Sequence, residues 1–378
     1  MVFEEIYGLS NLKQQLIHSV QNGRVSHAQL FWGKPGSATL PMAMAYAQYI
    51  LCEAPTPEDA CGQCKACQNN QKFIHPDLNF VFPVATNEKV PKLPKSNDFL
   101  PEWRNFLAQQ PYGSLSQWLQ TASIEQKQAL IGVEESRQVI RTLSLKPVES
   151  IYKILLLWLP EYLNTNAANA LLKILEEPAP NTVFLLVSES PQQVLPTIQS
   201  RVQMVQVPAY TDQEMTEILT HRYNLDDDKS RQISLLAQGD FNEALRLMEA
   251  VEQDYFGFCR DWFRTCYRGN FASLLQFTED YAKLPKDAQK NVFQYGLELL
   301  RASFLYRINP DQNPKVIGES FVFVQNFSKI VQPTTIDSFY QILNMAQSHL
   351  MRNANVKIVF FDTSIQLYQI FRLVDANR

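Results

Sequence analysis

The chain has 378 residues, of which 46% are hydrophobic and 19% charged, enough for two or three globular domains, each with its own core. A net charge of −4 excludes a global basic field that would draw the protein onto nucleic acid, so any DNA contact is local or shared with partners. The acidic start Met1-Val2-Phe3-Glu4-Glu5 lacks a signal-peptide core, and the longest apolar run, Ile154 to Leu159, is far too short to span a bilayer; both predict a soluble, cytoplasmic protein with no membrane contact.

In chain order, Leu12, Leu16 and Val20 mark one face of an amphipathic helix over 11–21, and a strand over 28–32 follows. A glycine-bearing loop comes next, then a helix over 40–50. After a cysteine cluster, His75-Pro76-Asp77 leads into a strand over 78–84. Residues 85–130, with Pro91, Pro94, Pro101 and Pro111, read as an irregular insertion carrying one or two short helices. A helix over 133–143 opens on Glu134 and Glu135, which suit a helix N-terminus. Lys153 to Trp158 is the continuous apolar strand of a parallel sheet covered on both faces. A helix over 166–177 is stopped by Pro178; strands over 182–187 and 202–207 flank a short helix beginning near Pro191. Helices are expected over 212–221, 229–238 and 242–251, and the aromatic-rich remainder is all-helical. The fold class is therefore α/β followed by all-α, with domains expected at 1–208, 209–251 and 252–378.

Three motifs carry chemistry. Residues 33–40 stand where a phosphate-binding loop of the form GxxxxGKS/T belongs, between a strand and a helix. Gly33 and Gly36 are present, but Ala38 replaces the second motif glycine, Thr39 the lysine and Leu40 the metal-ligating hydroxyl, so no ATP is expected to bind. The strand 153–158 likewise runs into Trp158-Leu159-Pro160, where an ATPase needs Asp-Glu for magnesium and water activation; nearby Glu161 is out of register. Cys52, Cys61, Cys64 and Cys67 fall within sixteen residues and offer four thiolates, enough for one closed, structural zinc site; an iron–sulfur cluster is the alternative. Without a secretory signal this quartet favours metal over disulfides, and Cys259 and Cys266 stand apart among aromatic residues. Arg201, in Ser200-Arg201-Val202, is from spacing alone as well explained by a solvated charge or a carboxylate partner.

Several stretches together resemble the clamp-loader branch of the AAA+ superfamily, and most of all the delta-prime family of bacterial DNA polymerase III. They are Ile6-Tyr7-Gly8-Leu9, residues 23–31 (GRVSHAQLF), the four-cysteine module, His75-Pro76-Asp77, and residues 166–178 (NAANALLKILEEP). The likeness covers residues 1–84 and 131–250, and the C-terminal helices by length and position alone. It implies a P-loop-type α/β domain with an inserted zinc module, a helical lid domain at 209–251 and an oligomerisation collar at 252–378. In that family a Ser-Arg-Cys motif lends an arginine finger to ATP on the neighbouring subunit; the resemblance implies that role for Arg201, with Val202 in place of the cysteine. The second sensor region, usually Gly-Ser-x-Arg-Asp-Ala-Leu, reads Gly239-Asp240-Phe241-Asn242-Glu243-Ala244-Leu245, so its arginine has become Asn242. The resemblance thus implies a subunit without its own ATPase activity, a stator in a hetero-pentamer with gamma/tau and delta subunits. That ring, part of the polymerase holoenzyme, opens the sliding clamp and places it on primer–template DNA. The rival readings are an ATP-hydrolysing gamma/tau-type subunit with an atypical loop and a zinc-dependent DNA-binding protein.

Overall fold

The structure, a computed structural model, describes residues 1–125, 127–249, 254–310, 318–352 and 354–376. The boundary expected at 251/252 and the last residues of the helix expected over 242–251 lie outside them. The chain divides into two compact units, Met1–Tyr210 with Gly239–Glu243, and Thr211–Gln238 with Ala244–Arg378.

The first unit is built on five strands, β1 (Ala28–Trp32), β2 (Leu78–Val81), β3 (Lys153–Trp158), β4 (Thr182–Ser188) and β5 (Gln203–Gln206), in the order β2-β3-β4-β1-β5. All pairings are parallel, with Ala28 opposite Phe184 and Leu155 opposite Phe184 from the other side. Every residue of β3 and β4 is buried, as continuous apolar runs require when helices cover both faces. Those helices are α1 (Ser10–Gln21), α2 (Thr39–Leu51), α3 (Lys65–Gln71), α4 (Leu100–Gln109), α5 (Leu115–Thr121), α6 (Val133–Leu143), α7 (Thr165–Glu176) and the single turn α8 (Pro196–Gln199). On one face Leu30, Leu155, Leu157, Phe184 and Leu186 pack against Val139 and Leu143 of α6, Leu171 and Leu175 of α7, and Ile198 of α8. Helix α2 is buried at all thirteen positions, as an apolar run with no polar face must be.

Expected and observed elements differ by a residue or two, except at β2 and near Pro191, where a 3-10 turn (Pro191–Gln193) precedes α8. That strand stops at Val81 because the Phe82 amide donates to Ser96 Oγ (3.0 Å) and Pro83 has no N–H to give a ladder. The insertion begins there. Val84 and Leu130 exchange backbone hydrogen bonds and close its base, and α4 and α5 stack their aromatic side chains between. Trp103 lies 4.1 Å from Phe82 and 5.1 Å from Trp118, ring centroid to centroid, and the Trp118 indole N–H donates to the Pro83 carbonyl. Nearby, the buried Asp77 carboxylate accepts the amides of Val148, Glu149 and Ser150, while the Lys153 ammonium donates to the carbonyls of Thr142, Leu145 and Lys146. Together they fix the turn between α6 and β3 and satisfy carbonyls that end α6.

The second unit is helical: α9 (Asp212–Tyr223), α10 (Asp227–Ala237), the greater part of α11 (Phe241–Glu249), α12 (Tyr255–Arg268), α13 (Phe271–Lys283), α14 (Lys286–Ile308), α15 (Gly318–Phe327), α16 (Ile336–Met351) and α17 (Val356–Ala376). Its aromatic residues form the core. Trp262 stacks on Phe360 at 4.7 Å and its indole N–H reaches Ser364 Oγ, with Cys259 and Cys266 buried beside it as free thiols. Among the described residues no helix is long and apolar enough to cross a membrane.

Candidate functional site

The carboxyl ends of β1, β3 and β4 point to one edge of the sheet, the edge where open α/β folds bind ligands. Strand β1 delivers the glycine-bearing loop there. Gly33 is packed so tightly that a Cβ would stand 2.4 Å from Ser37 Oγ and 2.5 Å from the Val207 carbonyl oxygen, and Gly36 takes φ +69°. The Ser37 amide and hydroxyl both donate to the Lys34 carbonyl, at 3.0 and 2.7 Å. The turn of a phosphate loop survives. Ala38, Thr39 and Leu40 are all buried, and the Thr39 methyl would stand 3.0 Å from a Cβ at Gly33, so the lysine position carries a short side chain packed on the loop.

A carboxylate lies against that loop instead. Asp240 caps α11 by accepting the Glu243 amide at 2.9 Å, and a Cβ at Gly36 would fall 1.8 Å from its Oδ1. The Phe241 amide donates to the Gly36 carbonyl at 3.1 Å, tying this segment to the loop. Past β4, Glu189 is pushed up to about 7 by burial and by the charges of Glu161 and Asp240. Glu161 is raised by burial too, and its Oε1 accepts the amides of Glu189 and Ser190 at 3.1 and 3.2 Å. Glu161 therefore serves the turn after β4. A working loop attracts a polyphosphate with a lysine; here it is bordered by acids.

At the end of β3, where a magnesium-binding acid would stand, Trp158 is buried 5.2 Å from Trp103 and 5.6 Å from Phe106, ring to ring. Leu159 then turns into the left-handed region at φ +57°. The insertion's α4 thus packs on the side chain that replaced the acid.

Arg201 follows α8 at the surface. Its Nε donates to Glu176 Oε1 at 2.7 Å, with a second contact from Nη2, and its Nη1 donates to the Thr197 carbonyl and to Ser200 Oγ. The carboxylate partner left open by spacing alone is therefore present, supplied by the end of α7. The guanidinium keeps 29% of its side-chain surface exposed and Glu176 47%.

The four cysteines come together at the far end of α2. Cys52 follows that helix, Cys61 sits in the loop, Cys64 caps α3 and Cys67 lies within it. All four sulfur atoms are within 4.8 Å of one another, with Cys52 to Cys64 at 4.0 Å and Cys61 to Cys67 at 3.9 Å. Sulfurs bound tetrahedrally at about 2.3 Å from zinc are separated by much the same distance. The amides of Cys61, Cys64 and Cys67 donate to the sulfurs of Cys52, Cys61 and Cys64, an arrangement that favours thiolates. Backbone amides, that of Gln63 first, bring the Cys61 thiol down to about 6, whereas burial raises Cys52 and Cys67, a cost that a bound cation's charge offsets. The donor set fits a metal of the zinc type.

Sequence reasoning did not find Asp240 against Gly36, Glu176 on Arg201, or a reciprocal amide pair between Gln117 of α5 and Asn242 (3.1 and 2.9 Å). Asp240 preceding an amphipathic helix is a legible cap, but nothing local says what else its carboxylate meets.

Among known proteins, the chain is 33% identical over 190 residues to DNA polymerase III subunit delta' of Pseudomonas aeruginosa, which covers 50% of this chain and 45% of that one. It is 22% identical over 381 residues to DNA polymerase III subunit gamma of Buchnera aphidicola, covering 94% of this chain and 92% of the relative. The chain spans about half the length of the delta' relatives it matches, 45% to 58% in those of Pseudomonas aeruginosa, Escherichia coli and Bacillus subtilis. A solved DNA polymerase III gamma-subunit-related protein from Thermotoga maritima matches with 15% identity and a TM-score of 0.38, covering 95% of this chain and 100% of that one. The family model described as DNA polymerase III, delta subunit, matches residues 8–211, more than half of the chain. The chain belongs to that family, a clamp-loader family of DNA polymerase III.

Proposed function

We propose that this chain is a non-hydrolysing, delta-prime-type clamp-loader subunit that lends Arg201 to ATP bound on a neighbouring subunit. The observation that carries this reading is a phosphate loop without its chemical groups in the same unit as a surface arginine. Thr39 stands for the lysine and Trp158 for the metal-binding acid, both buried, while Asp240 lies against Gly36. Arg201 remains at the surface, and its pair with Glu176 is exposed. Exposed pairs are worth roughly 0–1 kcal/mol, so a phosphate that accepts bidentate, charge-assisted hydrogen bonds can displace the carboxylate. A guanidinium delivered to a transferring phosphoryl group stabilises the charge that spreads over its oxygens.

In this reading the partners are gamma/tau and delta subunits in a hetero-pentamer, the sliding clamp, and primer–template DNA held by the assembly, all in the cytoplasm. Residues 209–251 serve as a lid and 252–378 as the collar. Cys52, Cys61, Cys64 and Cys67 would hold one structural zinc ion, which cross-links the end of α2 to α3 and leaves no open position for catalysis. The match to a gamma subunit along 94% of this chain favours a second reading, an ATP-hydrolysing gamma/tau-type subunit, which requires nucleotide to enter the loop.

The test is the clamp- and DNA-stimulated ATPase of the reconstituted complex with native chain or Arg201→Ala. An arginine finger is worth about 10³–10⁵ in rate at its own site. Because one site depends on it, the bulk rate should fall in part and clamp loading further. Unchanged rate and loading in an intact assembly would make Arg201 a surface charge. Saturable ATP hydrolysis by the isolated chain would favour the gamma/tau reading.

A further inference from the structure

The insertion 85–130 has no counterpart in the chemistry proposed above, yet it packs on the end of β3 and on the segment that lies against the phosphate loop. From α4, Trp103 and Phe106 pack on Trp158 at the end of β3. Between α4 and α5, Tyr112 lies 4.6 Å from Phe241, ring to ring, and its hydroxyl is 3.3 Å from that of Tyr210. From α5, the Gln117 amide exchanges two hydrogen bonds with Asn242, at the position where the second sensor arginine is expected. The same Gln117 oxygen accepts the amide and hydroxyl of Ser114, which fixes the side chain's rotamer before it meets Asn242. Phe241 is buried and its amide donates to the Gly36 carbonyl. Asp240, between the glycine at φ +86° and Phe241, is thereby seated on the phosphate loop.

We infer that the insertion is an internal plug: Tyr112 and Gln117 hold residues 239–243 against the phosphate loop, so that Asp240 occupies its mouth and nucleotide is shut out whatever the loop's own sequence. In a nucleotide-responsive relative of this fold, a γ-phosphate would join the loop to the second-sensor residue. Here the Phe241 amide on the Gly36 carbonyl joins segment and loop without nucleotide, and the amide pair and the aromatic contact from the insertion hold that segment in one conformation. This rests on the reading that the chain is a nucleotide-free subunit, and adds why the state is fixed.

Two measurements on the full chain test it. The first restores the loop with Ala38→Gly, Thr39→Lys and Leu40→Ser, and follows binding of a fluorescent ATP analogue with magnesium, with and without Asp240→Ala, Tyr112→Ala and Gln117→Ala. The restored loop alone should not bind, and opening the plug should raise affinity at least about tenfold. Equal binding by the two, or none by the opened variant with its fold intact, overturns the plug. Neither result bears on Arg201, and ATP hydrolysis by the native chain would instead remove the proposed function. The second needs no restored loop. Hydrogen exchange at the Phe241 amide should quicken at least about tenfold in Tyr112→Ala/Gln117→Ala; unchanged protection there overturns the role given to the insertion.

Discussion

Glu189 shows how the acids beside the phosphate loop report themselves through a single side chain. Burial, with Glu161 and Asp240 beside it, lifts its carboxyl to about 7 from an ordinary 4.5. A carboxyl that holds its proton more tightly in the folded state stabilises the fold below its unfolded value. That contribution is lost as pH rises from about 4.5 toward 7. Glu189→Gln should therefore flatten the decline in stability over that window by on the order of 2–3 kcal/mol, read as the difference in urea midpoints at pH 4.5 and 7.5. A pH profile identical to the native one would mean that the three acids do not share one environment. Arg201 illustrates the limit of spacing at this scale. Its position was legible as a motif, whereas its partner Glu176 stands twenty-five residues away on another element, brought close by the packing of α8 on α7.

Among the elements, strands and helices of the α/β unit were legible because their signals are local: apolar runs for β3 and β4, and for α7 a closing Pro178. The insertion was legible only as a polar, proline-bearing stretch with one or two short helices. Its core is long-range: Trp103 and Trp118 find Phe82 and Trp158, and no periodicity in 85–130 announces that. The same packing means that a magnesium-binding acid cannot be installed at the end of β3 by one change without cost. Trp158→Asp would place an unpaired carboxylate among Trp103, Phe106 and the β3 backbone, and remove a fully buried indole. Loss of such a ring from a core costs about 3–5 kcal/mol, before the charge is counted. The expected outcome is a lower denaturation midpoint and no magnesium-dependent ATP binding. A variant of native stability would show that the aromatic cluster is loosely packed.

For the whole molecule, two anchors hold the α/β unit at opposite ends of α2: the phosphate loop before Thr39 and the cysteine cluster after Leu51. Zinc analysis should return one ion per chain. Its removal by a strong chelator should lower the unfolding transition of this unit by several kcal/mol while the helical signal of the second unit persists, because binding free energy at a structural site is folding free energy. A metal-free chain with an unchanged transition would make the four thiols an incidental cluster. The total burial of α2 has a further consequence, for handling and lifetime. Thirteen residues without a wet side, once released, are a sticky segment that neighbouring chains capture before it can redock. Heat inactivation should then depend on protein concentration and scan rate, so that the endurance of this protein is set by how rarely α2 escapes rather than by an equilibrium.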